Sequence, residues 1–343
     1  MQRSFIMIFN NIEFHNVAQL TPDGEGAYVM HRLPVEVEDM ISPGGKKGST
    51  VATGTELRFK LVSDTVSIKL RIDARPGDVF LAFIYHGSAL GPWQECKKYL
   101  HGGDNVITIN RPEKTEQYKM ITESGNFPFS PDVIRIVFSY GDIRFVGVEG
   151  ECLPPSPEDL PKRTMLCYGS SVTHGSSSLN IPWSFVFQLA EHFRVDSLNL
   201  GFSGNCRLES AMADEIAARG ERGEWDFATL CMGINILNTS RKKATELVSN
   251  MISTVAGRNP EKHIFCLSPS FCRSDFHGLG LAEVWREVIE EQVRLYDSPF
   301  VHYVNGLDLI DGAWGISGDC SHPSPMGIRS MVNGLIRVME EYV

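Results

Sequence analysis

The sequence predicts a chain in two parts: an antiparallel β-sandwich, jelly-roll-like, followed by a three-layer α/β/α domain on a five-stranded parallel sheet. Three observations carry this expectation. The first ~150 residues alternate apolar and polar side chains with period two and show no convincing 3.6-residue stripe. The stretch "LPPSPEDLPKR" (153–163) then puts four prolines into eleven residues, a semi-rigid connector. Beyond it, strand-like and helix-like stretches alternate five times, the pattern of a parallel sheet with helices on both faces. The boundaries read from this are 1–152, 153–163 and 164–343.

The strands of the first part are expected at 55–62 ("TELRFKLV"), 66–73, 79–87, 105–112, 133–140 and 143–150. Turn residues separate them, among them Pro76-Gly77-Asp78 and Gly102-Gly103-Asp104. In the second part, strands are expected at 164–168, 196–200, 227–232, 263–268 and 300–305. The helices between and after them are expected at Trp183–Phe193, Glu209–Ala218, Arg241–Ala256, Leu281–Leu295 and Pro325–Glu341. Trp183, at the first of these starts, is expected in the core, and Tyr168 is expected to be buried.

Composition narrows the function classes. The chain has 343 residues, 42% of them apolar, enough for each part to bury its own core. A net charge of −10 argues against a nucleic-acid partner, which needs a basic face. No apolar run approaches the ~18 residues of a membrane-spanning helix. The opening "MQRSFIMIFNN" has one Arg and a five-residue apolar run, short for a secretory signal. Eight cysteines show no C-x-x-C spacing, so no structural zinc is expected, and Cys167, Cys231 and Cys266 sit in strand-like runs as small buried hydrophobes. Reduced thiols point to a cytoplasmic protein. No H-x-x-x-H pair and no G-x-x-x-x-G-K loop occurs, so neither a metal nor a nucleotide cofactor is expected.

In parallel sheets of this kind, ligands bind beyond the carboxyl ends of the strands. Four polar, glycine-containing loops fall there: "YGSSVTHG" (168–175), "GFSGN" (201–205), "GIN" (233–235) and "GDCSHPSPMG" (318–327). Together they hold what acyl transfer requires: a nucleophile, a base, a group that orients the base, and oxyanion donors. Ser171 is the candidate nucleophile and His322 the base. Asp319 lies three residues before His322, within reach of its Nδ1. The backbone N–H groups of Ser171 and Gly204 and the side-chain amide of Asn235 are the candidate oxyanion donors.

These four loops resemble the blocks of the SGNH (GDSL-like) hydrolases: Ser171 in the first, Gly204 in the second, Asn235 in the third, and Asp319 with His322 in the last. The resemblance covers residues ~163–343 and is nearest to a bacterial subgroup with an extra N-terminal β-domain. The family's Gly-Asp-Ser is Gly-Ser-Ser here, and its nucleophile aligns with the third position, hence Ser171 rather than Ser170. The resemblance implies a metal-free serine esterase acting on short acyl groups, acetyl above all, carried by a sugar or oligosaccharide. The rivals to this reading are an acyltransferase with a hydroxylated acceptor, a thioesterase or general esterase, and, motivated by the Gly-Ser-Ser departure, a carbohydrate-binding protein with an inactive hydrolase domain. The expected partner is a small ester, with no nucleic acid and no membrane; a homo-oligomer is left open.

Other side chains near the rim are weaker candidates. His174 and Arg207 are possible substrate contacts, each also readable as an ordinary loop or helix-start residue. Phe271, Arg273 and His277, in the loop after the fourth strand, are candidates for the border of the cleft. Asp308 and Asp311 read as structural.

Overall fold

The computed structural model describes residues 6–113 and 115–343; the first five residues of the opening stretch lie outside these. The chain forms two compact units, neither of them one contiguous stretch. The first takes in the residues up to Glu38, Ser49–Lys162 and Arg194–Asp196; the second takes in Asp39–Gly48, Arg163–Phe193 and Ser197–Val343.

The first unit is built from two antiparallel sheets. One has the lateral order Met7–Phe9, Ile12–His15, Glu56–Leu61, Val133–Phe138, Val79–His86 and Ala89–Leu90. The other runs Gly103–Asn110, Thr65–Asp73, Asp142–Glu149, Tyr28–His31 and Gln19–Pro22. From Glu56 to Glu149 the long strands alternate between the sheets, which is jelly-roll wiring. Period two explains the packing. Val66, Ile68, Leu70 and Ile72 of Thr65–Asp73 point inward, while their neighbours are partly or fully exposed. Leu57, Phe59, Ile84 and Ile134 of one sheet share a single apolar core with Ile68, Leu70, Ile107 and Phe145 of the other. Face-to-face burial of this kind is what makes the pair a sandwich.

Several elements here depart from the expectation. The strands before residue 55 were not anticipated. The first two form a hairpin turned by Asn10 and Asn11, both at positive φ (51° and 61°), as a type I′ turn demands. A helix at Thr115–Gly125 was also unexpected; it buries only Tyr118. The proline-rich segment is ordered by a capping box at Ser156 and Asp159, and Lys60 donates to Asp159 at 2.6 Å.

This unit also buries a charge cluster. Arg58, fully buried, donates bidentately to Asp196 at 2.7 and 2.8 Å, to Glu56 at 2.7 Å and, at 3.2 Å, to Glu13. Arg135 donates to Glu56 at 2.6 and 2.8 Å and lies over the Phe129 ring.

The second unit carries the five-stranded parallel sheet with helices on its faces. Its strands are Thr164–Gly169, Asp196–Gly201, Phe227–Cys231, Ile264–Leu267 and Val301–Val304, each within two residues of the expected bounds. In chain order they lie 2-1-3-4-5 across the sheet. The order reverses at the first strand, and such a switch point opens a crevice beyond the strand ends. The helices are Phe185–Phe193, Ser210–Glu221, Arg241–Arg258, Leu281–Tyr296 and Pro325–Met339. The first starts two residues later than expected because Ile181–Trp183 is a 3-10 turn capped by Asn180. Trp183 is consequently 40% exposed instead of lying in the core, whereas Tyr168 is buried. Cys231 and Cys266 lie within the sheet, where burial pushes both thiols up to about 12. Among the described residues no helix is long and apolar enough to cross a membrane.

Candidate active site

The switch point delivers the "YGSSVTHG" loop. The first strand is buried along its whole length and ends at Gly169. Ser170 leaves it in extended conformation, and a single helical turn, Ser171–His174, begins at once and closes on Gly175 at φ 98°. The short turn holds the Ser171 backbone rigidly at the strand end, with the residue 7% exposed.

His322 arrives from the other end of the sheet. Its loop is pinned by Ser317 N–H donating to the His322 carbonyl at 2.8 Å and by Ser324 N–H donating to Gly315 at 2.8 Å. Asp319 opens a tight turn in which Cys320 takes a left-handed φ of 59°. Its Oδ1 accepts from the N–H groups of Ser321 and His322 and from the Ser317 hydroxyl, each at 2.9 Å. Oδ2 remains to accept from His322 Nδ1, at 2.6 Å. The other ring nitrogen, Nε2, lies 2.8 Å from Ser171 Oγ. Burial pushes the Asp319 carboxyl up, but the donors around it, the His322 N–H foremost, outweigh this and hold it far below the usual carboxylate range. A permanently ionised acceptor keeps the Nδ1 proton on its own side of the ring and leaves the Nε2 lone pair for the serine.

The second loop comes alongside. Gly201 ends the second strand directly against the Ser171 turn; a Cβ there would sit 2.1 Å from the His174 backbone nitrogen. Gly204 follows at φ 71°, in open space, so its requirement is the left-handed backbone and not room. Asn235, in the 3-10 turn after the third strand, accepts from Cys206 N–H through Oδ1 at 3.0 Å. That contact fixes the amide and leaves Nδ2 as a donor. Ser171, Gly204, Asn235 and His322 all line one cavity of about 370 Å³.

Residues 162–340 match the GDSL-like Lipase/Acylhydrolase family. The chain belongs to that family. No curated protein matches it in sequence. Among solved structures, a salicylyl-acyltransferase from a tetracycline biosynthetic pathway is similar in fold, with 15% identity, a TM-score of 0.77, and 98% of this chain and 96% of that one covered. A family two carbohydrate esterase from Cellvibrio japonicus has 11% identity and a TM-score of 0.65 over 97% of this chain and 95% of its own. Another, from Clostridium thermocellum in complex with cellohexaose, has 16% identity and a TM-score of 0.59 over 84% and 92%. These likenesses extend across both units of this GDSL-like protein and concern the fold.

The structure distributes the weaker candidates differently. His174 is buried beneath the second loop, where its Nδ1 accepts from Ser203 N–H at 3.3 Å; it is not among the cavity-lining residues. Arg207 is exposed and also outside the lining. Arg273 lines the cavity, whereas Phe271 packs edge-on against Phe276 and His277 is exposed outside it.

Two supports of the site escaped sequence reasoning. Segment 39–48, distant in sequence, packs on the second loop: Ser42 N–H donates to Glu209 at 3.0 Å, and Gly44 lies so close to Asn205 that a Cβ would meet its Oδ1 at 1.9 Å. Its run "SPGGKKGS" reads as a turn and gives no hint of this. The loop after the fourth strand is braced by buried Arg286, which donates to the carbonyls of Pro269 and Ser270 and bidentately to Asp275, both contacts at 2.8 Å. An Arg on an amphipathic helix carries no sequence signal of such a role.

Proposed function

We propose that the protein is a serine esterase that releases short acyl groups, acetyl first among them, from sugars or oligosaccharides. The observation that carries this reading is the unbroken hydrogen-bond chain from Asp319 through His322 to Ser171 Oγ. Ser171 attacks the ester carbonyl while its proton passes to His322 Nε2. Negative charge builds on the carbonyl oxygen, toward which the N–H groups of Ser171 and Gly204 and Asn235 Nδ2 donate. Collapse breaks the bond to the alcohol oxygen, which takes the proton from Nε2, and leaves an acyl-enzyme. Water, deprotonated by His322, then releases the acid and restores the serine. The modest cavity favours a small acyl group. Eight free cysteines favour a reducing, cytoplasmic setting and a small sugar ester as substrate.

The test is hydrolysis of 4-nitrophenyl acetate, butyrate and octanoate by the wild type, Ser171→Ala and Ser170→Ala. The acetate should turn over best, and Ser171→Ala should lose roughly 10⁴-fold or more in kcat. Ser170→Ala should keep most of the activity. Equal activity in Ser171→Ala and the wild type would end the proposal.

A second reading has its own support. The fold likeness to the salicylyl-acyltransferase extends over nearly the whole chain. The same residues would then pass the acyl group to an alcohol in place of water. Partitioning of the acyl group between water and added alcohols separates the two.

A further inference from the structure

Resting on the esterase reading, we infer that Arg273 selects esters whose alcohol half carries a carboxylate. Arg273 lines the cavity that holds Ser171 and His322. Among the described residues no Asp or Glu lines that cavity, and apart from His322, Arg273 is the one lining residue with an ionisable cationic side chain. The side chain is exposed and has no hydrogen bond or ion pair among the described residues. That sets it apart from Arg286 on the helix Leu281–Tyr296 that follows, which is fully engaged with Asp275 and two carbonyls. An unpaired guanidinium in the cavity that holds Ser171 is a local source of positive potential there. It is a fixed cation with a planar fork that fits a carboxylate. A lone cation suits a monoanion better than a phosphate, which would draw on a second one.

Strand order says which half of the ester it meets. The loop bearing Arg273 follows the fourth strand and the His322 loop comes after the fifth, its lateral neighbour. The Gly204 loop follows the second strand, at the opposite edge of the sheet. His322 must stand beside the departing alcohol oxygen to protonate it, so Arg273, on the His322 side, faces the alcohol. The substrate class is therefore an O-acylated hydroxy acid; among carbohydrates, an acidic sugar.

The experiment compares two matched pairs. 4-Acetoxybenzoate against 4-acetoxybenzamide places the charge in the alcohol half. Mono-4-nitrophenyl succinate against 4-nitrophenyl butyrate places it in the acyl half. The wild type should favour 4-acetoxybenzoate by about tenfold in kcat/KM, mainly through KM, with the preference shrinking as salt is added. Arg273→Gln should bring the ratio to about one, and Arg273→Lys should keep part of it. A ratio taken within one protein is insensitive to any loss of folded material. Absence of a preference in the wild type, or a preference that survives in Arg273→Gln, overturns the inference. An Arg273-dependent preference in the acyl pair alone overturns the placement on the alcohol side. If Ser171→Ala hydrolyses all four esters as the wild type does, the esterase reading itself falls; turnover that depends on Ser171 but ignores charge sinks only the role of Arg273.

Discussion

A cluster of three buried carboxylates and a single carboxylate, Asp319, solve opposite problems in this molecule. In the first unit, Glu13, Glu56 and Asp196 are buried around Arg58 and Arg135, and nearly every oxygen is spent on a guanidinium. In the second, Asp319 has, among the described residues, no ion pair other than the one with the His322 imidazole. It is 49% exposed and is held by two backbone N–H groups and a hydroxyl. Charge pairing locks Glu56 and Asp196 in the first cluster and leaves only one oxygen of Glu13 over. Neutral donors stabilise the second carboxylate without cancelling it, so its field remains available to His322. The first arrangement ties strands together, and the second keeps the His322 ring pointed at Ser171.

The difference breaks most sharply at Asp319. Asp319→Asn keeps an amide oxygen for the Ser321 and His322 N–H groups, so the turn should survive. It presents an NH₂ to His322 Nδ1 and forces the other tautomer, with a proton on Nε2 facing Ser171. We expect kcat for 4-nitrophenyl acetate to fall on the order of 10⁴-fold at nearly unchanged melting temperature. A drop of only a few-fold would show that the turn, and not the carboxylate charge, orients the ring.

The same logic inverted applies at Arg58. Arg58→Met removes a buried cation and leaves Asp196 and Glu13 without their guanidinium, at a cost of about 3–5 kcal/mol in unfolding free energy. Urea unfolding at neutral pH measures it. Stability equal to the wild type would mean that the cluster is not held by charge.

The candidate site was more legible than the cluster, and the reason is spacing. Ser171 and Asn235 each follow a strand of strong apolar pattern, Gly204 follows the weaker "DSLNL", and Asp319 lies three residues from His322, so loop position groups them. Arg58 and Asp196 are 138 residues apart, and nothing in either neighbourhood distinguishes them from surface charges in an alternating strand. Elements were lost for similar reasons. The hairpin at Met7–His15 has three- and four-residue strands, too short for periodicity, although Asn10-Asn11 between two apolar runs is a type I′ signal that was there to be used. Helix Thr115–Gly125 is eleven residues long and buries one side chain, Tyr118. Arg286 and segment 39–48 act through tertiary contacts to which no local pattern corresponds.

Glu13 offers the smallest and most diagnostic change. Three carboxylates face two arginines and His15 in the cluster, and Glu13 makes the longest contact with Arg58, 3.2 Å, while its Oε2 has no partner among the described residues. Burial, with Asp196 and Glu56 adding repulsion, outweighs Arg58 and raises it from 4.5 to about 7. Glu56 goes the other way: Arg135 and Arg58 overcome its burial and hold it at about 2. The signs follow. Between 4.5 and 7 the folded state keeps a proton on Glu13 that the unfolded chain has released, so this group's contribution to stability declines as pH rises through that window. Glu56 contributes stability above its unfolded value and loses it as pH falls toward 2. Glu13→Gln mimics the protonated form and cannot titrate. It should flatten the fall in stability between pH 5 and 8, a difference of about 1–3 kcal/mol at the alkaline end, and leave the acid limb set by Glu56 unchanged. Parallel pH profiles for Glu13→Gln and the wild type would mean that Glu13 is ionised in the fold, and that Arg58 balances three charges instead of two.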